Sequence, residues 1–404
     1  MPPPTLDARA LAQSGLSQLR QGDAEAARKT FGQIVAADIA DASVYLGLAY
    51  ACRSLNDDIA MVAALDSTLA IEPQNLRALL MKADHLSAAG DERAALSFYQ
   101  AAVKVAATTA QLPADLQQQV VHAQERCEQS VATLESSIRN RLAEQGLVPE
   151  ESGEQLQPSI RRFEQSLDIL LGKKKAYFQE PRYYFFPSLP QIQFYDRQNF
   201  PWLDKVEAAT AEIRAELIEV MRGDSAGSPA FKPYVQGDAR RPYNPQNGML
   251  NNPDWSAFYL WKNGEIVHEN AARCPRTMAA LADVPIAQVA NRSPSILFSL
   301  LRPGAHIPPH NGLVNTRLIC HLPLIVPEKC TFRVGNETHP WVEGKAWIFD
   351  DTIEHEAWNE SDQTRVILLF EIWQPDLTAK ERQQVKTMYE AIDEQSGVKP
   401  KWEI

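Results

Sequence analysis

The chain has 404 residues, too many for one ordinary hydrophobic core, and a hydrophobic content of 45% that is enough to fill two. A net charge of −11 leaves no electrostatic footprint for nucleic acid or for an anionic membrane surface. The five cysteines, Cys52, Cys127, Cys274, Cys320 and Cys330, are odd in number and lack CxxC spacing, which argues against a zinc ribbon or a disulfide framework and for a reducing compartment.

The first hundred residues repeat. "QGDAEAARKTF", "LNDDIAMVAAL" and "AGDERAALSFY" align with Gly22, Asn56 and Gly90 at an interval of 34 residues, and Ala26, Ala60 and Ala94, Phe31, Leu65 and Tyr99, and Gly15, Ala49 and Ala83 keep the same interval. A 34-residue period with small residues at helix crossings resembles tetratricopeptide repeats, and three repeats are the usual minimum for such a stack. Gly22, Asn56 and Gly90 can each end a helix in the left-handed conformation, and the Asp that follows each can cap the next helix. The expected organisation is a repeat domain over 1–112, a polar helical cap and linker over 113–175, and a third region over 176–404. The run Lys173, Lys174 and Lys175 reads as a solvated helix end.

After residue 176 prolines and aromatics multiply. One further helix is predicted in "PWLDKVEAATAEIRAELIEVM", 201–221. The long loop 235–255 carries Arg240 and Arg241 and reads as functional or mobile. From 255 onward short apolar segments, "FYLW", "SILFSLL", "TRLICHLPLI", "CTFRV", "KAWIF" and "RVILLFEIW", alternate with turn signals, which predicts a β-sandwich or barrel rather than βαβ units. Side chains alternate faces along a strand, so Arg317, Ile319 and His321 share one face while Leu318, Cys320 and Leu322 share the other. The mixed face suits a ligand-lined lumen, because a buried unpaired arginine is costly. Arg365 opens the last apolar strand, where its guanidinium could grip a carboxylate with two parallel hydrogen bonds. Five of the eight histidines fall between 306 and 355. His306 and His339 read as a hydrogen-bonded loop residue and a surface residue, and Trp255, Trp261 and Trp358 as core or rim aromatics, Trp255 with a possible place in a substrate groove.

"HIPPHNG", "NTRLICHLPL", "GKAWIFDDTIEHEAWN" and "TRVILLFEIWQP" resemble the aspartyl/asparaginyl β-hydroxylase family of Fe(II)- and 2-oxoglutarate-dependent oxygenases, over roughly 180–380. The resemblance implies a multidomain α + β protein, an α-helical tetratricopeptide-like solenoid followed by a double-stranded β-helix, or jelly roll. It implies an enzyme that uses Fe(II), 2-oxoglutarate as co-substrate and O2 to hydroxylate the β-carbon of an Asp or Asn residue in a peptide or protein. His310 and His355 would hold the iron, Arg365 and Ser299 the distal carboxylate of 2-oxoglutarate, His321 the carboxylate beside the keto group, and Arg317 the substrate's carboxylate. Neutral imidazoles suit ferrous iron and leave positions open for a chelating keto acid and O2.

Two departures stand out. The general oxygenase pattern is two His and one carboxylate, written HxD or HxE, but here the run is His310-Asn311-Gly312. Gly is usual in the resembled family, whereas elsewhere a small residue there would suggest a halogenase, or a decayed site. Ile319 stands where animal members have a further Arg. Asp350, Asp351 and Glu354 are candidate partners for the site, or simple turn caps. The alternatives are a hydroxylase of another carboxylate- or acyl-bearing substrate, and a non-catalytic repeat scaffold whose barrel binds a ligand. A peptide or protein substrate and a protein partner on the repeats are expected; nucleic acid is not. No run reaches the about 18 apolar residues that span a bilayer, and "MPPPTLDARALAQ" lacks a secretory pattern, so cytoplasm is the expected location.

Overall fold

The computed structural model describes residues 7–147, 158–224, 230–236 and 249–396. The chain divides into a helical unit up to Leu167 and a sheet-rich unit from Asp168. Among the described residues no helix is long and apolar enough to cross a membrane.

In the helical unit α1 (Ala8–Arg20), α2 (Ala24–Ala36), α3 (Ala42–Ser54), α4 (Asp58–Ile71), α5 (Leu76–Ala88) and α6 (Glu92–Ala107) pack as three consecutive pairs. Each pair turns at the expected residue, Gly22, Asn56 or Gly90, with φ of +82°, +55° and +84°. Asp23, Asp57 and Asp91 then cap the second helix of each pair by accepting from the backbone N–H of Ala26, Ala60 and Ala94. These alanines are therefore half-buried capping positions rather than the tightest crossing points; the next residues, Ala27, Met61 and Ala95, are buried. Phe31, Leu65 and Tyr99 fill the pair interiors, and a Cβ on Gly15 or Gly47 would run into the Phe31 ring. α7 (Ala114–Glu144) buries only Leu116, Val120 and Ala123, all in its first turns, against α6, and its remaining length is half-buried or exposed; α8 is Pro158–Leu170.

The sheet-rich unit runs α9 (Leu203–Ala208), α10 (Thr210–Asp224), β1 (Lys232–Pro233), β2 (Trp255–Lys262), β3 (Glu265–Ile266), α11 (His268–Arg273), α12 (Pro275–Ala280), β4 (Ile296–Leu301), β5 (His306–His310), β6 (Arg317–Ile325), β7 (Cys330–Val334), β8 (Glu337–Pro340), β9 (Trp347–Phe349), β10 (His355–Asn359), β11 (Arg365–Trp373) and α13 (Ala379–Ser396). The helix predicted over 201–221 is two helices. The Thr210 hydroxyl donates to the Glu207 carbonyl at 2.6 Å and competes with the helical ladder at that point.

Among the described residues the named strands pair antiparallel. A seven-stranded sheet has the order β1-β2-β4-β11-β6-β9 with β3 beside β2, and a four-stranded sheet has the order β5-β10-β7-β8. Leu318, Cys320, Leu322 and Leu324 of β6 and Val366, Leu368, Phe370 and Ile372 of β11 point away from the second sheet. They form a core with Leu203 and Val206 of α9 and Ile213, Leu217 and Val220 of α10. Ile319 and Ile367, on the opposite face, join Ile307, Phe332, Val334 and Ala357 of the four-stranded sheet in a second core. β5 contains Pro308 and Pro309, which lack the N–H needed on both sides of an interior strand, and it lies at a sheet edge.

Replacing the cap Asp91 by Ala should cost the helical unit about 1 kcal/mol. Urea unfolding of the full chain, followed by far-ultraviolet circular dichroism, checks this; an unchanged midpoint of the helical transition would show that the cap contributes nothing.

Candidate functional site

The alternation along β6 and β11 places Arg317, His321 and Arg365 in a cavity between the two sheets, which Tyr234, Trp255, Ser299, His310, Asp351, His355 and Glu371 also line. β5 and β10 pair so that His310 and His355 are direct cross-strand partners, their ring centroids 4.1 Å apart. The Nδ1 of His310 lies 2.8 Å from the Pro308 carbonyl and that of His355 lies 3.0 Å from the Ile353 carbonyl. A carbonyl only accepts, so each Nδ1 carries the hydrogen and each Nε2 keeps its lone pair. Burial, with the neighbouring His355, pushes the pKa of His310 down to about 3, and burial pushes that of His355 down to about 4. Both rings are neutral at pH 7.

Arg365 is 1% exposed and has no carboxylate partner among the described residues. Its guanidinium donates to the Ser299 carbonyl at 3.3 Å and stacks over Trp341 at 4.5 Å, while its Nε has no hydrogen bond. Burial lowers its pKa to about 10. The Ser299 hydroxyl accepts from the Trp255 indole at 3.2 Å, and Trp255 stacks on Tyr234 at 4.2 Å, so Trp255 is a core aromatic as well as a cavity wall. His321 is held between Phe332 and Phe349, with its Nδ1 buried and unbonded; burial and then Arg365 keep it well below the ordinary histidine range.

Arg317 is the opposite case. It donates to Asp351 at 3.0 Å, and its Nε lies 3.5 Å from Glu371, close enough for charge pairing but not aligned as a hydrogen bond. Burial works against its charge, but Asp351 and Glu371 outweigh it and its pKa is raised. Glu371 itself accepts from the Ser293 hydroxyl and, at 3.0 Å, from the Ser295 N–H. The residue after His310-Asn311 matters here. Gly312 donates its N–H to the Asp351 carbonyl at 2.6 Å, and a Cβ built on Gly312 would overlap the Asp351 carboxylate.

The three acidic residues before His355 separate cleanly. Asp350 caps its own turn through Thr352 and accepts from Gln179, with burial raising its pKa to about 6; Glu354 pairs with Arg333 at 2.8 Å; only Asp351 reaches the cavity. His306 opens β5, lies 2.9 Å from Glu356 and stacks on Trp358. His339 sits on β8 rather than in a turn, half-exposed against Phe194. Lys174 of the lysine run pairs with Asp168. Arg240 and Arg241 lie outside the described residues. Among the described residues no group of three or more His, Cys, Asp or Glu is arranged to hold a metal, and His310 and His355 are the two imidazoles that the strand pairing sets side by side in this cavity. Glu371 and Tyr234 went unremarked in the sequence. Glu371 was findable, because residues 365, 367, 369 and 371 share one face of β11 by the alternation already applied to β6.

Every residue that lines this cavity falls within positions 207–375, which match the family model described as aspartyl/asparaginyl beta-hydroxylase. That segment is similar to the aspartyl/asparaginyl β-hydroxylases. Among curated relatives, an "ornithine lipid ester-linked acyl 2-hydroxylase" of Rhizobium tropici is 38% identical over 184 residues, 45% of this chain and 60% of that protein. Human "aspartyl/asparaginyl beta-hydroxylase" is 41% identical over 134 residues, 33% of this chain and 17% of that protein. Human "aspartate beta-hydroxylase domain-containing protein 2" is 30% identical over 217 residues, 52% of this chain and 55% of that protein. The chain therefore spans less than two thirds of the length of each of these relatives.

Gly312→Ala should cost on the order of 1–3 kcal/mol, the usual range for overpacking. Combining it with Asp351→Ala should recover part of that loss in a thermal-unfolding cycle; strictly additive losses would mean that the two residues do not press on each other.

Proposed function

We propose that the sheet-rich unit is an Fe(II)- and 2-oxoglutarate-dependent hydroxylase whose iron is held by His310 and His355. The observation that carries this reading is the pair of cross-strand imidazoles, both neutral, both with Nδ1 fixed by a backbone carbonyl and Nε2 left as a donor. That is the state a histidine needs to bind a metal. The donor chemistry fits ferrous iron, for which imidazole is a suitable ligand and two protein ligands leave positions open for a chelating co-substrate.

The second support is Arg365. A buried guanidinium without an anionic partner is unfavourable unless a ligand brings one, and the Ser299 hydroxyl beside it can add a hydrogen bond. We assign these two to the distal carboxylate of 2-oxoglutarate. We assign His321, whose buried Nδ1 has no hydrogen bond among the described residues, to the carboxylate next to the keto group. With O2 the bound iron and keto acid supply the oxidant for an unactivated C–H bond, 2-oxoglutarate leaving as succinate and CO2. The protein's share is to hold the co-substrate's two ends, to keep the cavity dry with Trp341, Phe332 and Phe349, and to present the substrate carbon. In this reading the two facing antiparallel sheets form a double-stranded β-helix, and the helical pairs form a tetratricopeptide-like solenoid suited to an extended polypeptide partner.

The substrate this reading takes first is the β-carbon of an Asp or Asn side chain in a peptide or protein, the reaction named in the family description. A second substrate class, an acyl chain, is favoured by two observations. Arg317 already stands between two carboxylates of the chain, and the cavity face of β6 presents the apolar Ile319 between Arg317 and His321.

Anaerobic titration with Fe(II) and 2-oxoglutarate tests the activity. A weak visible charge-transfer band should appear and then decay on admission of O2 with formation of succinate; protein that binds neither would be a ligand-binding scaffold. His310→Ala or His355→Ala should abolish the band while the helical unit stays folded. Arg365→Ala removes a charge-assisted contact worth about 1.5–3 kcal/mol and should raise the 2-oxoglutarate requirement by roughly tenfold or more. Product analysis by mass spectrometry separates a hydroxylated Asp or Asn from a hydroxylated acyl chain.

A further inference from the structure

We propose that Arg317, braced from behind by Glu371, is a positioning residue that fixes the Asp351 carboxylate in the space beside Gly312. The inference rests on the assignment of His310 and His355 as metal ligands and concerns what stands next to them.

Three observations converge. The first is spatial: the place a side chain at position 312 would fill is filled instead by the Asp351 carboxylate, delivered from the turn between β9 and β10. The exchange is locked by the backbone, since the Gly312 N–H is given to the Asp351 carbonyl at 2.6 Å and the Asn311 side chain donates to the Thr352 carbonyl at 2.9 Å. The second is the clamp. Arg317 and Glu371 lie on β6 and β11, neighbouring strands inside the seven-stranded sheet, whereas Asp351 is on a turn. Arg317 therefore ties a turn residue to the most rigid part of the unit. It holds one Asp351 oxygen at 3.0 Å, and the other oxygen, buried, has no hydrogen-bond partner among the described residues. That oxygen is an acceptor left over for a donor inside the cavity, such as a water on the metal.

The third is energetic. Arg317, Asp351 and Glu371 are 4%, 4% and 6% exposed. Turning Arg317 away to receive a substrate's carboxylate would leave two buried carboxylates facing each other with their shared cation gone. Breaking a buried pair from one side typically costs several kcal/mol. Arg317 is therefore committed before any substrate enters. The side chain acts through Asp351, and the cavity has Arg365 rather than Arg317 to offer an incoming carboxylate.

The test uses Co(II), whose visible spectrum reports its coordination, titrated anaerobically into the full chain with 2-oxoglutarate and no other substrate. Arg317→Met and Asp351→Asn should each weaken Co(II) by about tenfold or more and alter the spectrum in the same way. The double variant should show no further loss, and the 2-oxoglutarate affinity should stay within about twofold of wild type. Wild-type Co(II) affinity and spectrum in Arg317→Met would overturn the inference and return Arg317 to a substrate-facing role. Should Arg317→Met fail to fold, Glu371→Gln keeps the shape and removes only the bracing charge. A smaller shift of the same sign supports the clamp, and an unchanged spectrum in both Glu371→Gln and Asp351→Asn overturns it. Failure of the wild-type chain to bind Co(II) at all would instead remove the metal assignment, a result distinguishable from a normal wild type with unresponsive variants.

Discussion

Charge taken out of water must be matched, and that constraint organises the sheet-rich unit. Two arginines are buried between the sheets and they are treated in opposite ways. Arg317 has Asp351 and Glu371, both themselves buried, so its charge is answered from within the chain. Arg365 has a single backbone carbonyl and an aromatic face. Water would stabilise such a cation better than this surrounding does. The histidines obey the same rule from the neutral side, since desolvation strips their protons and leaves lone pairs in a dry space.

The period-2 geometry of a strand is what lets one segment serve both a core and a cavity. β6 and β11 are continuous apolar runs with a few polar residues, yet every polar residue discussed lies on the face turned to the four-stranded sheet. The opposite face is packed by α9 and α10 without a polar interruption. A shift of one residue in the β6–β11 register would exchange these faces entirely, placing Arg317 and His321 against the helices. The tight pairing of Phe370 with Cys320 and of Ile372 with Leu318 thus protects the site as much as the core.

Much of this was legible in the sequence because it follows from local rules. The interval of 34 residues located the helix pairs, and Gly22, Asn56 and Gly90 adopt the left-handed turns that their residue types allow. The strands rich in β-branched and aromatic residues were found in place. What escaped depended on contacts distant in sequence or on unusual local chemistry. β5 is "HIPPH", and two prolines disguise a strand that is stable only because it lies at an edge. The break at Ala209 is made by one hydroxyl. α13 carries little apolar periodicity and is held through Val385 and Tyr389 and the Asp393–Arg292 ion pair, none of which announces a helix. The roles of Asp350, Asp351 and Glu354 could not be separated by spacing alone, because three carboxylates within five positions reach three different partners only once the turn is folded.

The prolines of β5 have a consequence of another kind. β5 is an outer strand whose inner neighbour, β10, supplies the second histidine. An outer strand normally offers a row of free N–H groups on which another extended chain can assemble. Pro308 and Pro309 face opposite edges of the strand, so one of those outer donors is missing, next to His310. A segment from another copy, or from an unrelated polypeptide, would find an interrupted ladder there and could not zip along it. The rim nearest the histidines is thereby guarded against strand capture.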